Sequence, residues 1–282
     1  MKLAVITDST AVLSKAPEEW EDLYILNIPI TIDGVTYIEG QNLTLAEFYD
    51  KMAASSQLPQ TSQPSLAELD ELLTHLASED YTHVIGLFLA GGISGFWQNI
   101  QFLIEEYPNL TIAFPDSKIT SGPLGSMVEN IFYWQKHGLT FSQILEKLQL
   151  QIDGTRAFIM VDDLNHLVKG GRLSNGSAVL GNLLNIKPIL HFNTDGVIVV
   201  YEKIRTEKKA VRRLVDLLHE LTAQGNYKTF VIHAKAEAKA KDCRQLLSDS
   251  GYSGKVEIIS FDGVIATHLG SGAIALGFTP VL

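Results

Sequence analysis

The stretch HVIGLFLAGGISGFWQNIQFLIEEYPNLTIAF, residues 83–114, decides the architecture. It opens with a short apolar run, His83–Leu89, that stops at a glycine-rich turn, the pattern of a buried strand. Phe96, Ile100, Leu103 and Tyr107 then recur at helical spacing, which predicts a helix over Phe96–Tyr107. A second apolar run, Leu110–Phe114, follows at once. Strand, helix, strand is the crossover unit of a parallel sheet, because two parallel neighbours need a long connection between them.

Working outward, the same alternation covers the first half. Strands are expected at Leu3–Thr7 and Tyr24–Ile32, and helices around Leu45–Ala54, Ser65–Ser78 and Gly125–Gln135. After Gly154 the pattern changes. Strands are expected at Arg156–Val161, Pro188–Phe192, Val197–Tyr201, Thr229–His233, Val256–Ser260 and near Ala273–Phe278. Asp195-Gly196 between β-branched residues is a hairpin signal, so this second sheet is mixed. The expectation is an α/β protein of two domains: an N-terminal α/β/α domain with a parallel sheet over residues 1–153, and a C-terminal α/β domain with a mixed sheet over residues 154–282.

Composition narrows the function. Of 282 residues 46% are hydrophobic, enough for a sizeable core, and the net charge is −10. The basic pairs Lys208-Lys209 and Arg212-Arg213 belong to a helix face, so a nucleic-acid or anionic-membrane surface is not expected. Cys243 is the only cysteine, which argues against disulfides and cysteine-based zinc sites. The opening MKLAVITDST is a strand rather than a signal peptide, and no apolar run approaches the roughly 20 residues of a membrane span. A cytoplasmic protein with no metal and no cofactor is expected.

Familiar catalytic signatures are mostly absent. There is no P-loop, and GISGF lacks the glycine two residues after Ser94 that a nucleophile elbow needs. GSGAIA lies too late in the chain to open a dinucleotide-binding unit. In DDLNH, Asp162, Asp163 and His166 fit an exposed helix start better than a catalytic group. What stands out is a set of hydroxyl- and glycine-rich turns after strands: TDST (7–10), TSQPS (61–65), AGGISGFWQN (90–99), DSKITSGPLG (116–125), VKGGRLS (168–174) and HLGSGA (268–273). In an open α/β sheet such turns converge at the carboxyl ends of strands. Ser65 caps the helix beginning at Leu66, with Glu68 placed for a capping box. Thr61 and Ser62 are then spare: they complete an ordinary capping loop, or they make an anion site with the helix amino terminus.

Taken together in order, TDST, TSQPS, the ISG turn with its following Gln98, DSKITSGPLG, VDDLNHLVKGGRLS, LLNIKPIL and HLGSGA resemble the DegV family end to end. That resemblance implies a bacterial fatty-acid-binding protein, in some members the subunit that presents lipid to a separate fatty acid kinase. It implies a head-group site between the two domains. Matched position by position, Thr61, Ser94 and His268 would hold the carboxylate, with Ser62, Gly95 and Gly270 beside them. Arg172 and Arg205 would serve the encounter with the kinase. Ile93, Leu180, Leu183, Leu184 and Ile189 are expected to line the acyl-chain pocket, although SAVLGNLLNIKPILHF (177–192) fits a plain core helix and strand equally well. The chain departs from the family pattern at Ala90, Gly91, Phe96, Ser271 and Ala275. The implied partners are a long-chain fatty acid and a kinase catalytic subunit. The competing reading is an enzyme, a hydrolase or phosphotransferase, using Ser94 or His268 directly on a small anionic lipid.

Overall fold

The structure is a computed structural model that describes residues 1–176 and 186–282. The first half contains β1 (Leu3–Asp8), β2 (Leu23–Leu26), β3 (Ile30–Ile32), β4 (Val35–Tyr37), α1 (Leu45–Ala54), β5 (Gln60–Thr61) and α2 (Leu66–Ser78). β6 (His83–Gly86), α3 (Phe96–Ile100), α4 (Leu103–Glu106), β7 (Thr111–Ala113), α5 (Ser121–Lys136) and α6 (Phe141–Gly154) complete it. Strands β2-β1-β6-β7 form a wholly parallel sheet.

Two expectations are corrected here. The run Tyr24–Ile32 is not one strand. Proline at position 29 has no N–H to give a ladder, and the chain leaves the parallel sheet there. β3 instead enters a small antiparallel sheet, β4-β3-β5, whose hairpin turns at Asp33-Gly34, both at positive φ. The expected helix over Phe96–Tyr107 is two short helices. Phe96 is fully buried, edge-on to Phe88, while Phe102 lies exposed between the pieces.

The second half contains β8 (Arg156–Met160), α7 (Asn165–Lys169), β9 (Lys187–Phe192), β10 (Ile198–Ile204), α8 (Glu207–Thr222), β11 (Tyr227–His233), α9 (Glu237–Asp249), β12 (Val256–Ser260), α10 (Gly263–Leu269) and β13 (Ile274–Pro280). The sheet order is β10-β9-β8-β13-β11-β12, antiparallel except for the β11–β12 pair. Asn193 closes the β9–β10 hairpin by accepting from the N–H groups of Asp195 and Val197.

Helices and sheets stack in alternating layers. One core cluster lies between the two sheets, fed by α1, α5, α6 and α10 as well as by Val5, Ile85, Ala157, Ile159 and Phe192. A second cluster lies behind the six-stranded sheet under α8 and α9, and a third behind the four-stranded sheet under α2, α3 and α4. The seam between the sheets is tight. A Cβ on Gly92 would come within 2.4 Å of the Gly196 backbone, so the glycine-rich turn and the hairpin meet main chain to main chain.

Candidate functional site

Thr61 is set by β5, where it pairs with Ile30. His268 stands on the last turn of α10, which Asp262 caps by accepting from Ile265 N–H. The two meet: Thr61 Oγ1 and His268 Nε2 are 2.8 Å apart. They share the wall of an open cleft of about 860 Å³ with His166, Lys169, Gly170, Arg172, Ser271 and the segment Ser55–Gln60.

Backbone shape allows this close approach. A Cβ on Gly170 would lie 2.6 Å from His268 Nδ1, so only glycine leaves room for the imidazole. Burial, then the Arg172 charge, then His166 push the His268 pKa from 6.5 down to about 4. The imidazole is therefore neutral at pH 7 in the ligand-free protein. When Nε2–H donates to Thr61 Oγ1, the threonine hydrogen is left to point into the cleft.

Arg172 is not an exposed cation. It is half-buried, and it donates from Nε to the Ile93 carbonyl at 3.2 Å and from Nη1 to the Gly170 carbonyl at 2.6 Å. It thereby ties the GGISG turn to the GGR turn. Arg205 is exposed at the end of β10 and does not line the cleft; β9 and β8 separate β10 from β13 in the sheet.

Ser94 sits one residue beyond the carbonyl that Arg172 holds. Its Oγ accepts from Phe96 N–H at 3.3 Å, and it does not line the cleft. Gly95 packs on Gln63, whose Nε2 a Cβ would meet at 2.6 Å, so TSQPS and GISG are in contact. Ser62 is exposed, its N–H given to the Pro29 carbonyl, and neither it nor the start of α2 reaches the cleft. Ser65 does cap α2, accepting from Glu68 N–H at 3.2 Å. Gly270 takes positive φ and backs onto the His166 ring.

His166, Lys169 and Ser271 are cleft residues that sequence reasoning assigned no role. The signal was present: His166 and Lys169 are three apart on a helix face that leads directly into GGR. Asp162 and Asp163 are elsewhere engaged, Asp162 with Lys187 and Lys239, Asp163 with Asn165. The TDST turn is an internal strut. Asp8 is fully buried and accepts from Thr10 N–H, Thr10 Oγ1–H and Leu89 N–H, which fixes the end of β1 against the segment after β6.

A separate apolar slot, with about 30 Å³ of free volume, lies along the seam and reaches Leu269, the residue after His268, and Ile93, whose carbonyl Arg172 holds. Ile93, Ile119, Pro123, Ala157, Ile159, Phe192, Ile198, Ile232, Phe261, Ile265, Leu269 and Ala275 line it, joined by Thr120 and Ser121. Ile93 is thus where a tail pocket would need it. Ile189 is not: it belongs to the cluster behind the sheet, while its neighbours Leu190 and Phe192 face the seam. Successive strand residues alternate faces, so the expectation was off by one. Leu180, Leu183 and Leu184 lie outside the described residues.

Among the described residues no group of three or more His, Cys, Asp or Glu is placed to hold a metal ion, and no helix is long and apolar enough to cross a membrane.

A family model described as "Uncharacterised protein, DegV family" matches residues 2–281. A DegV domain-containing protein of Streptococcus pyogenes serotype M1 is 65% identical over 282 residues, covering 100% of both chains. The fatty acid binding DegV family protein of Streptococcus agalactiae is 62% identical, with a TM-score of 0.98 over 100% of both chains. DegV of Bacillus subtilis, described as a fatty acid binding protein, is 35% identical with a TM-score of 0.89, again over 100% of both chains.

Proposed function

The chain belongs to the DegV family, and on that footing we propose that it binds a long-chain fatty acid, its carboxylate at Thr61 and its tail in the slot between the sheets. The observation that carries this reading is a neighbourhood: a neutral donor pair, Thr61 and His268, lines a polar cleft, and Leu269, the next residue, lines an apolar slot. The description of the Streptococcus agalactiae relative as fatty acid binding supports it. A carboxylate offers only acceptors and needs donors. The Thr61 hydroxyl supplies one, with Ser94 recruited from the adjoining turn.

The tail supplies the gross affinity. At about 0.8 kcal/mol per methylene, burying about 14 of them gains roughly 11 kcal/mol. Association takes back about 4–15 kcal/mol, so the head-group bonds decide whether binding is tight. A slot of about 30 Å³ has room for about one water molecule. The chain therefore enters by parting the seam between residues 1–153 and 154–282, which act as two domains closing on the ligand.

The protein is read as a non-catalytic, cytoplasmic carrier that presents the carboxylate to a separate kinase. A carboxylate oxygen would attack the terminal phosphorus of a nucleoside triphosphate, the diphosphate would leave, and an acyl phosphate would form. The open cleft leaves space for that second reactant, and exposed Lys169 offers it a cation. Arg205, on the outer strand, is assigned to the kinase encounter.

Native mass spectrometry of the purified protein, followed by lipid extraction and a chain-length series, tests the binding. One bound fatty acid per chain, with affinity that rises to an optimum length and then falls, is expected. A monotonic rise without an optimum would mean surface or micellar association and would defeat the proposal.

A further inference from the structure

We propose that the deep end of the slot is a seat for a neutral oxygen carried on the outer half of the acyl chain, and that its ligand class includes hydroxylated fatty acids. The seat is the Ser121 hydroxyl at the amino terminus of α5. The inference rests on the fatty-acid reading above.

Among the described residues lining the slot, only Thr120 and Ser121 carry polar side chains. Thr120 is engaged, donating to Thr10 Oγ1 at 2.9 Å. Ser121 is fully buried, and its Oγ has no hydrogen-bond partner. A buried hydroxyl left unpaired is costly and calls for an explanation, and of the buried unpaired polar atoms among the described residues Ser121 Oγ is the one in the lining of the slot. It also stands where its side chain is least welcome: Ser121 has φ of 62°, the left-handed region that suits glycine. Among the described residues nothing hydrogen-bonds to the hydroxyl. The helix behind it adds to the same chemistry. α5 has 16 residues, and no side chain caps its amino terminus. Its first N–H groups and positive dipole end favour an oxygen placed there.

The position along the slot follows from strand register. A Cβ on Gly122 would meet the Phe230 ring at 2.7 Å, and one on Gly277 would meet Pro123 at 2.9 Å. Phe230, Gly277 and Ala157 form one row across β11, β13 and β8. Ser271, in the wall of the head-group cleft, lies six residues back along the chain from Gly277, at most about 20 Å away if fully extended. An oxygen in the outer half of a long chain would reach Ser121; one close to the carboxylate would not. A hydroxyl suits the seat because it can donate to Ser121 Oγ and accept from it or from the helix N–H groups. A plain hydrocarbon chain would leave Ser121 unpaired beneath it.

The test is a positional series of hydroxystearic acids, with the hydroxyl moved along the chain, titrated alongside stearic acid into wild type, Ser121→Ala and Ser121→Gly. The glycine variant removes the hydroxyl and also suits the left-handed backbone, so it keeps the test open if alanine folds poorly. Wild type should bind one or two adjacent outer isomers at least about ten-fold more tightly than the other isomers. Both variants should lose that preference, read as the ratio of each isomer's affinity to that of stearic acid in the same variant, and should melt no lower. A flat series in wild type that still binds stearic acid overturns this proposal alone, as does a preference that survives in both variants. Failure of every acid to bind, stearic acid included, overturns the fatty-acid reading and this inference together.

Discussion

Thr61 and His268 are 207 positions apart in the chain and 2.8 Å apart in space. The contact joins the small antiparallel sheet of the first half to the last helix of the second. Because the imidazole is neutral, the pair can hand one hydrogen to an incoming carboxylate without setting a full positive charge against it. A carboxylate oxygen held this way keeps more of its nucleophilicity than one paired with a buried guanidinium.

Thr61→Val and His268→Gln should each weaken fatty-acid binding. A hydrogen bond to a charged group contributes about 1.5–3 kcal/mol, so the expected loss is roughly 10- to 150-fold. Isothermal titration with a fatty acid below its micellar concentration measures it. The double variant should lose less than the product of the two single losses, because the residues act as one unit.

Gly170→Ala should reproduce the loss of the histidine without touching a polar group. The added methyl would sit 2.6 Å from His268 Nδ1 and displace the ring from Thr61. Binding should fall at least about ten-fold, as for removal of one charged hydrogen bond, and the His268 ring resonances in an NMR spectrum should shift. Wild-type affinity in this variant would show that the pair is not needed for binding.

Arg172→Ala should lower both stability and lipid retention, since the guanidinium holds the carbonyls of Ile93 and Gly170 together. At about 2–4 °C per kcal/mol for a chain of this order of size, melting should drop by several degrees. Arg205→Ala, at an exposed position, should leave melting and lipid content unchanged and slow acyl phosphate formation in a reconstituted kinase assay.

Acid should act on two buried groups in opposite senses. His268 titrates at 6.5 when unfolded and at about 4 when folded, so acidifying through that window protonates the unfolded chain first and costs stability. Asp262 is the reverse. Burial, with Glu39 and Asp8 adding to it, raises its carboxyl to about 7, so between about 7 and 3.8 the folded state holds the extra proton and acidification adds stability. Melting of lipid-stripped protein from pH 7.5 to 4.5 resolves the two. Relative to wild type, His268→Gln should lose less stability on acidification and Asp262→Asn should lose more.

Much of the fold was legible because its signals are local. The apolar runs of β1, β6, β8 and β12, the Asp195-Gly196 turn and the Ser65 cap are each written within a few residues. What was hidden depends on partners far away. Pro29 divides an apolar run that looks continuous, and only the presence of β5 explains where β3 goes. In β9 both faces are buried, so Pro188–Phe192 shows no alternation, and nothing local says that Leu190 rather than Ile189 faces the seam. Thr61 stood out as a spare hydroxyl beside a helix cap, whereas His268 was named only through the resemblance at HLGSGA. His166 did not stand out, because its neighbours Asp162 and Asp163 made the segment look like a solvated helix start. The Arg172 tie was illegible for a different reason: its acceptors are backbone carbonyls, which every residue carries.

β13 lies in the middle of the six-stranded sheet, between β8 and β11, yet it is translated after both. On the ribosome β8 and β11 therefore wait with their central edges open until the last strand arrives. The four-stranded sheet needs nothing beyond β7 and can be complete much earlier. His268 and the glycine turn after it emerge immediately before β13, so the wall of the cleft and the keystone of the sheet are delivered together. A nascent or prematurely terminated chain would expose unpaired strand edges and apolar seam to its neighbours. For this protein, closure of the six-stranded sheet and completion of the proposed lipid site fall within the same few moments of translation.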